Sequence, residues 1–341
     1  ADYRPGEYLI YTRNPSYWKL DQLRQRLPYL TRLVVYILPD TDMALLKFQK
    51  GELDAIELEP DQYLLLNEGP AAGERGYRVY DLGASASTEF LAFNQNPDEI
   101  APPKLRWFKS KAFRRAIAHA LDKETIIRSI FAGLAIPAKN PFPPSIWGYN
   151  DKIAPYAYNP QLARKLLEEA KFDFNSEIEL WAMPVSRAYM PEPVKTAELI
   201  QSYFAAVGVK AKIVRHEWGA YLSKTQNGEH DLCMLGWLGG NADPDNFLYG
   251  LLSADTAKPP AANVAFWKNA QFTELCLKAQ KTFNKAERTQ LYLKAQEIFH
   301  AEAPWIPIAH STIVRCYSKK LHEVPLRPNG LNSFQMVWKE K

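Results

Sequence analysis

The chain is poor in several features that would assign it to an enzyme, membrane or nucleic-acid class. It has three cysteines in 341 residues, Cys233, Cys276 and Cys316, far apart and with no CxxC pair. An odd count excludes a fully paired disulfide framework and leaves one bridge open. Apolar runs last only a handful of residues, so no stretch reads as a bilayer-crossing helix. The N-terminus has no charged segment followed by an apolar one, so no signal peptide is legible. Charge of one sign is also scarce. Lysine and arginine total 42 against 38 acids, a formal net charge of +4. That excess is too mild and dispersed to indicate a nucleic-acid partner.

Catalytic signatures are missing too. The sequence holds no GxxxxGK[ST] phosphate loop, no GxGxxG and no GxSxG elbow. Its six histidines, His119, His216, His230, His300, His310 and His322, show no HExxH or other ligand spacing and read as structural. Asp243-Pro244-Asp245 starts like an EF-hand loop, but Leu248 and Ala254 stand where glycine and glutamate are required. Acidic residues are plentiful, yet no pair stands out for a hydrolase. The expectation is a non-enzyme with no catalytic residue, metal site or cofactor.

What is present suits a large α/β protein. The composition is 47% hydrophobic and 23% charged, ample for two domains or lobes. Aromatics reach 13%, with 18 tyrosines and 9 tryptophans. One stretch is central, Leu235–Phe247 (LGWLGGNADPDNF). It follows an apolar run and carries Gly236, Gly239 and Gly240, which permit close backbone approach, then Asn241 and an Asp243-Pro244-Asp245-Asn246 turn. Trp237 adds an aromatic face and an indole donor. The stretch reads equally as the floor of a small-molecule or peptide cleft and as an ordinary strand exit with a buried tryptophan.

The elements alternate between strand and helix. Residues 7–13 and 33–38 are β-rich, and Asp40 caps a helix through Gln49 that Gly51 closes. A strand over 54–58, a helix from Pro60 and strands over 77–82 and 88–94 follow. Residues 96–103 read as a Pro-rich connection. Two helical pieces span 112–133, the second capped by Asp122. Residues 137–159 form a long irregular segment. Asn159-Pro160 opens a helix, and strands at 178–183, 209–215 and 230–235 alternate with helices at 193–207 and 219–226. Two helices over 269–303 precede strands at 305–310 and 312–317. The loops at Arg187 and Trp237 follow C-terminal strand ends, where open α/β sheets bind ligands. Arg187 could offer a bidentate fork to a carboxylate, or make a surface salt link.

From about Leu27 onward the chain resembles the extracytoplasmic solute-binding proteins of peptide-type ABC importers, the dipeptide-, oligopeptide- and nickel-binding family 5. The resemblance rests on residues 27–54 (LPYLTRLVVYILPDTDMALLKFQKGELD), 113–133 (FRRAIAHALDKETIIRSIFAG), 147–150, 180–189 (LWAMPVSRAY), 207–217 (VGVKAKIVRHE), 228–247 and 303–312 (APWIPIAHST). The second half is most similar to the dipeptide-binding branch. The resemblance implies a two-lobed periplasmic-binding-protein-like fold (type II, cluster C). Lobe I would be residues 1–93 and 312–341, and lobe II residues 94–311. It further implies a monomer, periplasmic or membrane-anchored outside the cytoplasm, that binds a short peptide between its lobes and delivers it to permease subunits.

The resemblance also assigns residues. Arg187 matches the arginine that pairs with the ligand's carboxylate, and Trp237 matches the pocket tryptophan. The loop Gly239, Gly240, Asn241 and Asp243 completes the expected ligand-binding set. The family's ammonium-binding aspartate should stand at residue 240, where this chain has Gly240. Removing one partner of a buried ion pair costs roughly 3–5 kcal/mol. Either Asp243 substitutes, or the ligand lacks a free α-amine (an opine, modified peptide, sugar or haem-like molecule), or affinity is weak. The family's disulfide is also absent, with Ala254 and Lys268 near its positions. Members carry a further upstream stretch roughly half as long as this chain, so lobe I is expected to be incomplete and the chain N-terminally truncated.

Overall fold

Local chemistry sets most helix starts. The computed structural model describes residues 1–67, 76–326 and 333–340. Its contacts divide the chain into two units, Ala1–Gly83 with Thr312–Lys341, and Ala84–Ser311.

The smaller unit opens with an antiparallel sheet of β1 (Asp2–Arg4), β2 (Tyr8–Thr12) and β3 (Arg32–Tyr36). Helix α1 (Thr41–Gln49) starts where Asp40 accepts from the Met43 amide at 2.9 Å, and Gly51 follows at φ +76°. Next come β4 (Ala55–Glu57), α2 (Pro60–Asn67) and β5 (Tyr77–Ala84).

The larger unit starts with β6 (Ser87–Phe93), buried at every position. Helices α3 (Lys104–Lys109), α4 (Lys111–Ala120) and α5 (Lys123–Ile130) come next, then β7 (Ala135–Pro137). Asp122 caps α5, accepting from the Thr125 amide and hydroxyl at 3.1 and 2.6 Å. Asn159 caps α6 (Pro160–Glu169) with proline in the first turn. The chain continues through β8 (Glu177–Trp181), α7 (Pro193–Ala206), β9 (Lys210–Val214), α8 (Trp218–Asn227) and β10 (Leu232–Leu238). It ends with α9 (Asp245–Leu252), α10 (Ala270–Lys281), α11 (Lys285–Glu302) and the first part of β11 (Trp305–Ser318). From Thr312 onward β11 belongs to the smaller unit, where it pairs with β4, and the short hairpin β12 (Leu321–His322) and β13 (Trp338–Lys339) follows.

The sheet of the larger unit runs β11-β6-β10-β8-β9. β10 is antiparallel to β6 and parallel to β8, and β8 is parallel to β9. Its core is aromatic: Phe113 packs on Phe93, Phe108 and Phe172, and Trp305 packs on Phe90 and Phe299. Buried Arg114 reaches out of α4 to the end of α11. It donates from Nε to the Glu302 and Ala303 carbonyls at 3.0 and 3.1 Å, and from Nη2 to Glu302 at 2.7 Å. A cation there satisfies carbonyls that the helix end leaves open.

The structure revises several sequence expectations. β10 does not stop at Leu235. It continues through Gly236, Trp237 and Leu238, paired with Glu89, Thr88 and Ser87. The Asp-Pro-Asp-Asn segment leads straight into α9. Residues 305–317 form one strand, with a register irregularity between Pro307 and Ala309. The three cysteines are buried and none forms a disulfide among the described residues.

Candidate functional site

The site is built on the end of β10 and the two loops nearest it, all within the larger unit. Antiparallel β6 and parallel β8 flank β10, so the chain leaves β8 and β10 on the same sheet edge. After β8, Arg187 and Met190 close a small bridge, exchanging backbone hydrogen bonds of 3.0 and 2.8 Å. Tyr189, between them, is buried. A β-carbon on Gly236 would lie 2.2 Å from its ring, so only glycine lets that ring rest on the strand. Through Tyr189 the Arg187 turn is packed on β10 beside Trp237.

Arg187 itself is exposed, its guanidinium 4.8 Å from the centroid of the Trp218 ring. That ring borders the fork without neutralising it. Among the described residues no carboxylate pairs with Arg187. Its guanidinium donates to the Ser186 carbonyl in a long contact of 3.3 Å. Trp237 is 38% exposed, and its indole donates to Asn246 Oδ1 at 2.8 Å. That bond fixes the ring at the start of the loop. The Gly239 amide donates to the Ala86 carbonyl at 2.7 Å, and a β-carbon there would strike Phe247. Gly240 faces open space.

The acids of the loop are engaged. Asp243 makes a bidentate pair with Arg288, two bonds of 2.9 Å, and Arg288 lies over the Trp147 ring at 5.1 Å. Its Oδ1 also accepts from the Asp245 amide, while Asn241 Oδ1 accepts from the Asp243 amide. Asp245 accepts from Gln280 and from the Tyr292 hydroxyl, and burial raises its pKa. Asn241, Asp243 and Asp245 therefore hold the turn that starts α9. Nothing in the local sequence marks Arg288 as their partner, since it lies 45 positions from Asp243.

Glu89 is a second residue that sequence reasoning missed. It sits mid-strand in β6, opposite Gly236 on β10 and Ala309 on β11. Its side chain is fully buried and neither carboxyl oxygen has a hydrogen-bond partner. Burial pushes its pKa well above the usual glutamate range. Burial likewise raises the Tyr189 phenol to about 12, with the Arg187 charge opposing and the Glu89 charge adding to the rise. The available sequence signal is a lone charge in the apolar run STEFLAF. Two histidines are fully buried: His230 is lowered to about 3 and His310 to about 4, both by desolvation.

The sequence and fold are shared with known proteins. The family of bacterial extracellular solute-binding proteins, family 5 Middle, matches residues 1–259. The dipeptide-binding protein of Escherichia coli is 33% identical over 344 residues, covering 98% of this chain and 59% of its own length. Heme-binding protein A of Haemophilus influenzae is 36% identical over 346 residues, covering 99% of this chain and 58% of its own length. The chain thus spans under two thirds of the curated relatives it matches. Among solved structures, the ABC transporter-associated periplasmic binding protein DppA of Helicobacter pylori, in complex with the peptide STSA, superposes with a TM-score of 0.80. It is 32% identical and covers 100% of this chain and 62% of its own.

Proposed function

The chain belongs to the bacterial extracellular solute-binding proteins of family 5, and we propose that it captures short peptides outside the cytoplasm and delivers them to the permease of an ABC importer. The observation that carries this reading is the Arg187 fork, free of any described carboxylate and packed through Tyr189 onto the strand that bears Trp237. An uncommitted guanidinium on a braced turn suits a peptide's terminal carboxylate, which it can grip bidentately. Trp237 would pack on the ligand, and the open backbone at Gly240 would hydrogen-bond an extended main chain and spare side-chain specificity. Gly239, whose amide is already bonded, and Asn241 would shape that backbone. Asp243 belongs to this reading as a support of the loop, since Arg288 already neutralises it. The two lobes of the family are assigned to the two units, with boundaries at Gly83–Ala84 and Ser311–Thr312. The proposed chemistry is capture and release, without turnover.

A second reading keeps the family and changes the ligand. Gly240 lacks the expected carboxylate, which favours a molecule without a free α-amine, and one similar protein is a heme-binding protein. A thermal-shift panel of dipeptides, tripeptides, an opine and haem separates the readings. Stabilisation by free peptides, rising with ligand concentration, is expected. Stabilisation by haem or opine with none by any peptide would overturn the peptide reading.

A further inference from the structure

Within the peptide-capture reading, on which this inference rests, we propose that Glu89 supplies the counter-charge for a cationic group of the ligand, the α-ammonium of a peptide, in place of the carboxylate absent at Gly240. Residues directly opposite across paired strands share one face of the sheet. Glu89 therefore shares a face with Gly236 and Ala309, the two smallest side chains available. The space above Gly236 is taken by the ring of Tyr189, two residues after Arg187. The glutamate thus lies on the strand face over which the Arg187 turn is folded.

Two residues before Glu89 on the same face, the hydroxyl of Ser87 lies 2.7 Å from that of Ser311 and 2.5 Å from that of Ser85. Carboxyl and hydroxyl oxygens form a strip rich in acceptors, with Gly236 and Ala309 opposite Glu89 and Leu238 opposite Ser87. A primary ammonium, with three donors and no acceptor, is the head group such a strip fits.

Asp243 is bound to Arg288, and Asp245 accepts from Gln280 and Tyr292. Glu89 alone among these three keeps both oxygens without a hydrogen-bond partner. A buried carboxyl without a partner is costly and is retained where something else needs it. In the free protein burial favours its protonated form. Arrival of an ammonium reverses the balance, and the O–H bond gives way to an ion pair with the proton released to solvent. Reorientation of the Tyr189 ring off Gly236 would open the way in.

Calorimetric titration of the protein with a dipeptide and with its N-acetylated form tests the assignment. In the wild type the free dipeptide should bind at least tenfold tighter, and in Glu89→Gln that ratio should fall to about threefold or less. An unchanged ratio in Glu89→Gln, or a wild-type ratio near one, overturns the role of Glu89 while leaving peptide capture standing. Absence of binding by every peptide to folded wild-type protein overturns the capture reading and this inference with it. Wild type alone gives an independent readout if Glu89→Gln does not fold. At about pH 6 an α-ammonium is fully protonated, and Tyr189, the titratable group facing Glu89, stays neutral. Titrations in two buffers of different ionisation enthalpy should then show proton release with the free dipeptide and none with the acetylated one. No release with either overturns the assignment.

Discussion

A carboxyl group buried without partners governs its own proton, and Glu89 makes that consequence measurable in stability. Its pKa is raised in the folded state by desolvation from 4.5. Between 4.5 and the folded value the folded protein holds a proton that the unfolded chain has lost. Stability therefore falls as pH rises through that window, by about 1.4 kcal/mol for every tenfold drop in proton concentration. Glu89→Gln removes the titration. Thermal melts across pH should show a higher Tm for the variant at neutral pH and a flatter profile between mildly acidic and neutral conditions. Identical profiles for the two proteins would show that the group is solvated or paired in the native state. Arg187 lies at the other extreme, exposed and stacked on Trp218. Its removal should leave Tm nearly unchanged, because an exposed charge contributes little to stability.

At the scale of elements, the helix starts are legible because they depend on two or three neighbouring residues. Asp40, Asp122 and Asn159 read as caps, and each accepts the expected amide hydrogen bond. The extension of β10 is not legible, since it depends on pairing with β6, some 150 positions away. Glycines at 236 and 239 suggest a loop, yet each is required by a ring packed against the strand or its exit, Tyr189 and Phe247. Glu89 escapes notice for a similar reason. A charge in a short strand suggests an exposed face, and only the β6 register reveals that both neighbours are paired strands. Gly236→Ala should destabilise by about 1–3 kcal/mol through overpacking, because its β-carbon would meet both Tyr189 and the Thr88 carbonyl. Gly240→Ala meets nothing within 4 Å and should shift stability by less than about 0.5 kcal/mol. Chemical denaturation of the two variants checks the contrast, and equal losses would contradict the packing described.

For the molecule as a whole, the α/β class and the family are legible from ordered segments spread over most of the chain, while the ligand is not. The residues that resemble the family reappear on one sheet edge of the larger unit: Trp237 at the end of β10, Gly239 and Gly240 just beyond it, and Arg187 on the turn that Tyr189 packs against that strand. Helices and strands supply this frame, and the proposed ligand contacts fall to a few uncommitted groups on it. The central claim is that one of these, the Arg187 guanidinium, anchors a peptide carboxylate. A calorimetric double-mutant cycle addresses it directly, titrating wild type and Arg187→Ala with a dipeptide and with its C-terminal amide. Arg187→Ala should lower affinity for the free acid at least tenfold, about 1.4 kcal/mol, with little effect on the amide. Equal losses for acid and amide, or no loss for either, would contradict the anchor and the reading built on it.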